Sequence, residues 1–515
     1  MNAECDDAST SNRTAIYRYG SFAIQDRRMN MKLCTLFEKL PYLVETRGNM
    51  VAEISTLCSN SREKVEQGLF FCIPGARFDA HDYAPQAVQN GCVALVVDHF
   101  VDVDVPQVKV TSVRAAMSRM AAAFYGHPAD QMRLVGVTGT KGKTTTTYMI
   151  KSILETAGMK VGLIGTTGNM IGEKRIASNY TTPDPIDLQR DLRAMADEGV
   201  NTVVMEVSAH AIDMFRLDGM TFEVGAYTNL SQDHLDYFGT MEGYFECKKR
   251  FFTTGMVRNA VLNVDEETSV SILRDIEIPH LTFGIAAAAD LFARDIEITE
   301  TGVGFELKLQ GMHALPINLQ MTGMFNVYNA IAAASCAMVL GISHEDIRAG
   351  LEKIANVPGR IEMLPTGTPY RVILDYAHAP DALDNILRTC REFTRGRLIA
   401  LFGCGGDRDK GKRPIMGRIG GELADLCILT SDNPRSEDPM SILASIEEGI
   451  RETDCEYVII ENRREAIRHA LEIGRDGDVI ALCGKGHETY QEIRGVKHDF
   501  DEKVVVAELL AEMDD

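Results

Sequence analysis

Apolar positions along the chain fall into three successive regions, in which short apolar runs alternate with amphipathic stretches. Residues 1–30 come before them and are polar and aperiodic, so we expect a disordered tail or an upstream start. Residues 31–130 carry short apolar runs, such as Leu69–Ile73 and Val93–Val97, between turn residues. That pattern predicts a small α/β domain. A helix over Val113–Tyr125 is expected to close it, because Gly126-His127-Pro128 is a strong stop signal.

Residues 131–358 and 359–515 both predict a parallel sheet. The second region opens with a strand at Arg133–Thr138, a glycine-rich loop and a helix, and its further apolar strands are Thr202–Val207, Val224–Leu230 and Ala260–Asn263. In the third region the predicted strands lie near 371–375, 398–403, 426–430, 457–460 and 478–483. Strands that alternate with helices indicate parallel sheets, and the last region fits a Rossmann-like, doubly wound domain. The fold class is therefore α/β with three domains.

Composition narrows the class of partner. The chain has 53 Lys and Arg against 74 Asp and Glu, a net charge of −21. This balance argues against nucleic-acid binding, although an acidic protein can carry a basic pocket for an anionic substrate. No apolar run reaches the roughly 18 residues that a membrane span needs, and the 12 cysteines form no CxxC pair. We expect a cytoplasmic protein that acts on small molecules.

The strongest chemical signal lies between a predicted strand and a predicted helix, and it reads Gly139, Thr140, Lys141, Gly142, Lys143, Thr144, Thr145. Backbone N–H groups at the start of a helix bind phosphate in this context. Lys143 would reach the β- and γ-phosphates, and Thr144 would bind Mg²⁺. The strict P-loop spacing fails by one position, because Gly136 stands one residue too early. The context still predicts a P-loop-type ATPase domain at the centre of the chain.

Lys248 is the second signal. In the predicted helix Met241–Phe252 it lies at the centre of a face shared by Met241, Tyr244, Phe245, Phe251 and Phe252, whereas Lys249 and Arg250 point elsewhere. An ammonium group in apolar surroundings is costly unless it is paired or chemically altered. The alternative interpretation is a lysine that snorkels to the edge of the helix.

Two further segments carry possible metal ligands after apolar strands. Glu206 lies within Met205–His210, and His234 lies within Asn229–Asp236. Both emerge where the ligand of a parallel sheet should bind, so they are candidate Mg²⁺ ligands opposite the phosphate loop. Away from such a loop, capping and turn roles would be the simpler explanation.

The third region offers groups that suit a charged amino acid. Pro434 stiffens the turn Asp432–Arg435, and Arg435 could hold a carboxylate with two hydrogen bonds. Arg408 is a second such candidate, and Glu488 could accept an ammonium group. Two arginines and a glutamate would recognise an amino acid with additional charged ends. Taken singly, each residue is more often a surface cap or a member of an ion pair.

With these motifs the chain resembles the Mur ligases, and residues 31–515 resemble the MurE family among them. Mur ligases share a Gly-Thr-x-Gly-Lys-Thr loop, which accounts for the misfit to the strict P-loop. The resemblance implies an ATP-dependent acid–amino-acid ligase of peptidoglycan precursor synthesis. ATP would phosphorylate the D-Glu γ-carboxylate of UDP-N-acetylmuramoyl-L-Ala-D-Glu, and the amine of an incoming amino acid would displace phosphate from the acyl phosphate.

The resemblance also implies roles for individual residues. Catalytic positions would be Lys143, His234 and Lys248. Around ATP it implies Gly139–Thr145 with Asn263, Asn326 and Arg360. For Mg²⁺ it implies Thr144, Glu206, His234 and Lys248, the lysine being carbamylated by CO₂. For the UDP-muramoyl dipeptide it implies Ser61, Thr181, Thr182, Ser208 and Arg216, with the loop 76–78 nearby. Two positions depart from the family pattern, since Met214 replaces a frequent Gln and Lys141 a frequent Asn.

For the incoming amino acid, the resemblance implies the residues Arg408, Asp432, Asn433, Pro434, Arg435, Gly484 and Glu488. Family members with this Asp-Asn-Pro-Arg turn resemble those that use meso-diaminopimelate. L-Lysine has no distal carboxylate and would leave a buried Arg435 unpaired, so we expect diaminopimelate. The alternatives are the same ligase with L-lysine, a sister ligase such as folylpolyglutamate synthase, and an NTPase switch. We expect a monomer that binds these small molecules, without nucleic-acid or membrane partners.

Overall fold

The computed structural model describes residues 30–75, 78–176, 180–299, 302–309 and 314–514. Within them the chain forms three successive sheets of five, eleven and six strands, with two additional two-stranded ribbons. This architecture confirms the predicted three-domain α/β fold. Residues 1–29 of the predicted tail (1–30) and residues 76 and 77 of the loop 76–78 lie outside the described residues. Among the described helices, none has both the length and the hydropathy to cross a lipid bilayer.

The first sheet and its helices form the N-terminal domain. Its elements are β1 (Met31–Lys32), α1 (Leu33–Phe37), β2 (Leu43–Arg47), β3 (Glu53–Ile54), β4 (Thr56–Cys58), β5 (Gly68–Phe71), a 3-10 helix (Ala80–Tyr83), α2 (Ala84–Gln89), β6 (Cys92–Val97), β7 (Gln107–Val110), α3 (Val113–Phe124) and a 3-10 helix (Pro128–Gln131). The sheet order is β2-β7-β6-β5-β4. Helix α3 begins where Ser112 Oγ accepts a hydrogen bond from Ala115 N, and Met117 and Met120 join it to the apolar core.

The central domain holds the largest sheet. Its strands are β8 (Arg133–Thr138), β9 (Val161–Ile164), β10 (Asn169–Ile171), β11 (Lys174–Ile176), β12 (Thr202–Glu206), β13 (Phe222–Tyr227), β14 (Val257–Asn263), β15 (His280–Gly284), β16 (Leu291–Thr299), β17 (Gly302–Leu309) and β18 (Leu315–Leu319). Its helices are α4 (Lys143–Thr156), α5 (Pro185–Asp197), α6 (Ala209–Asp213), α7 (Leu235–Phe238), α8 (Met241–Thr253), α9 (Thr268–Asp275), α10 (Met324–Val339) and α11 (His344–Lys353).

The order of the central sheet places the phosphate loop in its middle. Strand β8 lies between β12 and β13 and pairs with both in parallel. The loops that follow these three strands therefore meet at one edge of the sheet. At the far side, β16, β17 and β18 extend the sheet by antiparallel pairing. The sequence patterns did not predict this extension.

The C-terminal domain is doubly wound. Its elements are β19 (Glu362–Leu364), β20 (Arg371–Asp375), α12 (Pro380–Phe393), β21 (Leu398–Phe402), α13 (Lys412–Leu423), β22 (Leu426–Leu429), α14 (Pro439–Ile450), β23 (Glu456–Ile459), α15 (Arg463–Ile473), β24 (Val479–Cys483), β25 (Tyr490–Ile493), β26 (Val496–Asp499) and α16 (Glu502–Asp514). Strands β20, β24, β21, β22 and β23 are parallel neighbours in that order. One core joins the sheet to α12, α13 and α14, and another joins it to α15 and α16.

Candidate nucleotide and amino-acid site

Two glycines shape the phosphate loop. Gly139 has φ +146°, and a Cβ there would lie 1.9 Å from Thr228 Oγ1. Gly142 has φ +82° and precedes α4, and a Cβ there would lie 2.4 Å from Asn329 Oδ1. Any larger residue would therefore displace the loop. No side chain caps the N-terminus of α4, so its first N–H groups are available to an anion.

Two lysines converge on one carbonyl of this loop. Lys143 Nζ donates to Gly139 O at 3.0 Å and to Thr140 O at 2.9 Å, and Lys248 Nζ donates to Gly139 O at 2.8 Å. Burial lowers the pKa of Lys143. Burial, with the added charge of Lys143, brings the pKa of Lys248 well below its usual range. The loop thus holds two buried amino groups whose hydrogen-bond acceptors are neutral carbonyls.

The helix that carries Lys248 agrees with the predicted face. Lys248 is 1% exposed, which rules out the snorkelling alternative. Its neighbours point elsewhere, as predicted. Lys249 forms an ion pair with Asp275 at 2.5 Å, and Arg250 forms one with Asp213 at 2.7 Å. Lys248 is therefore the lysine of this helix that faces the phosphate loop.

Glu206 and His234 occupy different surroundings. Glu206 is buried at the end of β12, where its carboxylate accepts hydrogen bonds from Thr166 N at 2.8 Å and Thr166 Oγ1 at 3.1 Å. His234 is exposed and has φ +55°, with its ring 4.8 Å from the ring of His210. Within the described residues these two side chains belong to no cluster of three protein ligands. A metal ion here would need a further donor.

Asp233 is a candidate that the sequence reasoning missed. Burial acts to raise its pKa, but nearby charges, chiefly those of His234 and Lys141, lower it. The carboxylate is therefore ionised beside the phosphate loop. Its signal in the sequence was its place next to His234 in the segment that follows β13.

The residues expected at the muramoyl dipeptide lie together. Thr182 Oγ1 donates to Glu206 O at 2.7 Å and to Ser208 Oγ at 3.2 Å. Arg216 Nη1 donates to Thr182 O at 2.6 Å, and its Nη2 lies 3.0 Å from Asp184 Oδ1. Arg216 Nη2 also lies 3.7 Å from the sulfur of Met214. The methionine that replaces the usual glutamine thus gives Arg216 a weak acceptor.

Two other members of the expected substrate set have different hydrogen-bond partners. Thr181 Oγ1 lies 3.1 Å from Thr166 Oγ1, which connects it to Glu206. Ser61 lies in the N-terminal domain, where its hydroxyl donates to Gln86 Oε1 at 3.0 Å and its carbonyl accepts from Asn90 Nδ2 at 2.8 Å.

Arg360 connects the C-terminal domain to the phosphate loop. Its Nη2 donates to Thr144 Oγ1 at 3.2 Å, and its guanidinium lies 5.3 Å from the ring centre of Tyr376. Asn263 Nδ2 donates to the carbonyl of Thr228 at 2.8 Å, and the side chain of Thr228 packs against Gly139 of the loop. Asn326 accepts a hydrogen bond from Asn329, the residue that contacts Gly142. Asn329 was missed, because an asparagine inside an apolar helix gives no local sign of its partner.

Two histidines of the C-terminal domain pack against Tyr376, the ring next to Arg360. The ring of Tyr376 lies 4.6 Å from that of His378 and 4.9 Å from that of His487. Burial lowers the pKa of both histidines to about 4. They are therefore neutral at pH 7 and add no charge to the lysine-rich loop.

At the expected amino-acid site, a buried lysine occupies the centre. Lys485 is fully buried, and its Nζ lies 3.4 Å from Asp432 Oδ1, 3.0 Å from Asn433 Oδ1 and 3.2 Å from Glu488 Oε2. Glu488, the expected acceptor of a substrate ammonium, thus already pairs with an ammonium of the protein. Burial acts to raise the pKa of Asp432, but the charges of Lys485 and Arg463 lower it.

The expected arginines lie around Gly405. A Cβ on Gly405 would lie 2.9 Å from Arg435 Nη1 and 3.9 Å from Arg408 Cγ. Arg435 has φ +50°, forms an ion pair with Glu492 at 3.2 Å and donates to Gly406 O at 2.7 Å. Gly484 has φ +114° and faces the carboxylate of Asp432, while the Pro434 carbonyl lies against Gly406. The structure therefore brings the predicted set together, with internal carboxylates as present partners.

Comparison with known proteins agrees with this geometry. Three domain models match in order: the Mur ligase family catalytic domain at residues 53–125, the Mur ligase middle domain at 137–337, and the Mur ligase glutamate ligase domain at 359–486. The chain belongs to the Mur ligase family, which consists of ATP-dependent amide-bond ligases. This result confirms the predicted family and enzyme class.

Individual relatives make the similarity more specific. The chain is 44% identical to the UDP-N-acetylmuramoyl-L-alanyl-D-glutamate--2,6-diaminopimelate ligase of Caldanaerobacter subterraneus subsp. tengcongensis, over 94% of this chain and 99% of that protein. It is also 44% identical to ligase 1 of the same name from Clostridium acetobutylicum, over 90% and 96%. A solved structure of a ligase with that name superposes with a TM-score of 0.67 at 32% identity, covering 95% of this chain and 100% of the other.

Proposed function

We propose that this chain joins meso-2,6-diaminopimelate to the D-Glu γ-carboxylate of UDP-N-acetylmuramoyl-L-Ala-D-Glu, with cleavage of ATP to ADP and phosphate. The observation that carries the proposal is the pair of lysines, Lys143 and Lys248, held on one carbonyl at the uncapped start of α4. Full-length relatives that are 44% identical bear the name of this reaction. In the first step a carboxylate oxygen attacks the γ-phosphorus, and ADP leaves. In the second the amine attacks the acyl phosphate, and phosphate leaves.

The nucleotide would bind along Gly139–Thr145. The N-terminal N–H groups of α4 and Lys143 would neutralise the β- and γ-phosphates as charge shifts to the leaving ADP. Arg360, which already contacts Thr144, would add charge from the C-terminal side. Asn263 and Asn326 lie behind the loop and would support the remainder of the nucleotide.

Mg²⁺ and a carbamate on Lys248 fit the residues present. The Lys248 amine is buried with a strongly lowered pKa, and its acceptor is a carbonyl rather than a carboxylate. The neutral amine can add CO₂ and release a proton to solvent, and the resulting anion would face Lys143. Mg²⁺ would be held by Thr144, Glu206, His234 and the carbamate, and it would supply positive charge next to the phosphates. Incorporation of ¹³C-bicarbonate, lost in Lys248→Ala, tests this step by NMR.

Substrate recognition would extend over all three domains. Thr181, Thr182, Ser208 and Arg216 would hold the muramoyl dipeptide next to Glu206, and Ser61 would bind the uridine nucleotide in the N-terminal domain. Arg408 and Arg435 would hold the distal carboxylate of diaminopimelate. The turn Asp432-Asn433-Pro434, Gly484 and Glu488 would hold its ammonium group, which would compete with Lys485 for carboxylates.

We further propose that the protein is a cytoplasmic monomer that binds neither nucleic acid nor membranes. Its first two domains would end at residues 130 and 358. The cysteine usage and the net charge of −21 support the compartment and the absence of nucleic acid. Light scattering during gel filtration tests the oligomeric state.

The reaction itself is tested by phosphate release from ATP and Mg²⁺ in the presence of the UDP-muramoyl dipeptide. The assay compares meso-diaminopimelate, L-lysine and no amine, and mass spectrometry identifies the product. We expect release that depends on diaminopimelate and yields the tripeptide. Preference for L-lysine would contradict the role of Arg435. Release without any amine would contradict the ligase and favour an NTPase switch.

A further inference from the structure

The N-terminal domain brings together two histidines and two aspartates. His81 lies in the 3-10 helix Ala80–Tyr83, and Asp79 precedes that helix. Asp98 and His99 follow the end of β6. Within the described residues, His81, Asp98 and His99 form the one group of three histidine, cysteine or carboxylate side chains whose ligand atoms all lie within 4.8 Å of one another. The proposed ligase reaction uses none of them.

The buried histidine has the orientation of a metal ligand. The side chain of His81 is 2% exposed, and its Nδ1 lies 2.6 Å from Asp79 Oδ1. A carboxylate at Nδ1 fixes the proton there and leaves the lone pair of Nε2 on the opposite side of the ring. A zinc-bound histidine commonly donates a hydrogen bond from its other ring nitrogen to a carboxylate, which fixes the orientation of the ring.

The remaining groups lie on the Nε2 side. His81 Nε2 is 3.3 Å from Asp98 Oδ1, close to the separation of about 3.4 Å that ligand bonds of about 2.0–2.1 Å give in a tetrahedron. His99 Nδ1 lies 2.5 Å from the same carboxylate oxygen, and its ring stacks on that of His81 with centres 4.1 Å apart. A long contact of 3.2 Å from Asp98 N to His81 Nε2 is the hydrogen bond that a metal would replace.

Charge around the cluster favours a cation. In the part of the chain that the structure describes, the ion-pair partners of Asp79 and Asp98 are these two histidines. A divalent ion would balance the two carboxylates.

We propose that His81, Asp98 and His99 bind a divalent cation of the zinc class, with Asp79 as the residue that orients His81. Two imidazoles and a carboxylate are the ligands that such an ion prefers, and a fourth position remains for water. The ion would tie the segment before α2 to the segment after β6. Its role would be structural, at a distance from the Mg²⁺ expected beside the phosphate loop.

The test uses the full chain stripped with a chelator and titrated with Co²⁺, which reports coordination by absorption. We expect one tightly bound Co²⁺ with intense four-coordinate bands and no sulfur charge-transfer band. His99→Ala should weaken binding by at least about tenfold, and Asp79→Asn by about 10- to 100-fold. His99 is the ligand of choice for replacement, because it is exposed, whereas loss of the buried His81 could unfold the domain.

Two controls separate this site from others. His280→Ala removes an exposed histidine of the central domain and should leave Co²⁺ affinity unchanged. Glu206→Gln removes an expected Mg²⁺ ligand and should keep the four-coordinate bands. Zn²⁺ should raise the melting temperature of the wild type and of both controls but not that of His99→Ala. Absence of a tight Co²⁺ site, bands that persist in His99→Ala, or a sulfur charge-transfer band would each overturn the proposal.

Discussion

The phosphate loop of the central domain and the strand ends of the C-terminal domain both bury basic side chains, but the hydrogen-bond acceptors of these side chains differ between the two regions. At the loop, Lys143 and Lys248 donate to the Gly139 carbonyl. At the strand ends, Lys485 is within 3.4 Å of Asp432 and 3.2 Å of Glu488, and Arg463 is 2.8 Å from Glu502. The first region keeps its positive charge for a ligand, while the second is neutralised by the protein itself.

Under the proposed function, this difference suits the two regions to two kinds of substrate. A phosphate group brings only negative charge, so desolvated lysines on neutral carbonyls attract it without first breaking an ion pair. A diamino acid brings charges of both signs. Its carboxylate can replace a protein carboxylate beside an arginine, and its ammonium group can replace a lysine beside a protein carboxylate. Mutations in the two regions should therefore have different effects.

Lys143→Ala should have the largest effect. It removes the charge that the loop holds for phosphate, and kcat/KM for ATP should fall by about 10³-fold, in line with the loss of a main electrostatic group. Phosphate release at saturating diaminopimelate measures it. Lys151→Ala is the matched control, since Lys151 lies on the same helix but pairs with Glu155 at 2.9 Å. A loss of less than tenfold in Lys143→Ala would contradict the role of the unpaired charge.

Glu502→Gln should have the largest effect on stability. Arg463 and Glu502 are both fully buried, and Arg463 also donates to the carbonyl of Cys483, which precedes the Gly484 loop. Removing one partner leaves a buried charge uncompensated, which lowers the free energy of unfolding by about 3–5 kcal/mol. Denaturant unfolding followed by circular dichroism measures it.

The control for this change lies on the same helix. Glu508 pairs with Arg464 at the surface of α16, where its side chain is 53% exposed. Solvent screens such a pair, so Glu508→Gln should change the unfolding midpoint little. Equal midpoints for Glu502→Gln and Glu508→Gln would show that the C-terminal cations do not depend on internal pairing.

Local patterns in the sequence predicted the phosphate-loop region of the central domain well. Strand β8 coincides with the predicted Arg133–Thr138, because a continuous apolar run there ends at glycine. The burial of Lys248 followed from the 3.6-residue period of α8, since its apolar neighbours define the face. Both are properties of a single element and its flanks.

The charged network of the C-terminal domain depends on contacts between segments that are distant in the sequence. Lys485 stands between two glycines and its sequence context indicates a turn, but Asp432 lies beside it only because β22 and β24 end at the same edge of the sheet. The positive φ of Arg435 and its pairing with Glu492 likewise depend on the β25–β26 hairpin, which comes after β24 in the chain. Strands β16–β18 were missed because antiparallel additions to a parallel sheet carry no helical spacing between them.

Arg435→Ala should reduce discrimination between meso-diaminopimelate and L-lysine by about 10- to 100-fold, since the distal carboxylate loses its charged partner. The ratio of kcat/KM for the two amines measures it. Arg494→Ala offers a control, because this exposed arginine lies in the adjoining hairpin and contacts Arg435 through its backbone. An unchanged ratio in Arg435→Ala would remove the arginine from the specificity site.

Glu492→Gln should have the smallest effect and tests partner exchange directly. Its carboxylate pairs with Arg435 at 3.2 Å, and both side chains are about one quarter exposed, at 26% and 23%. A partly exposed ion pair contributes little, so releasing Arg435 should lower KM for diaminopimelate only about two- to fivefold and leave kcat unchanged. The gain should vanish in the Arg435→Ala background, because the two residues would then act through one contact. A rise in KM would mean that Glu492 positions Arg435 rather than competing for it, and the C-terminal network would then be a fixed scaffold like the phosphate loop.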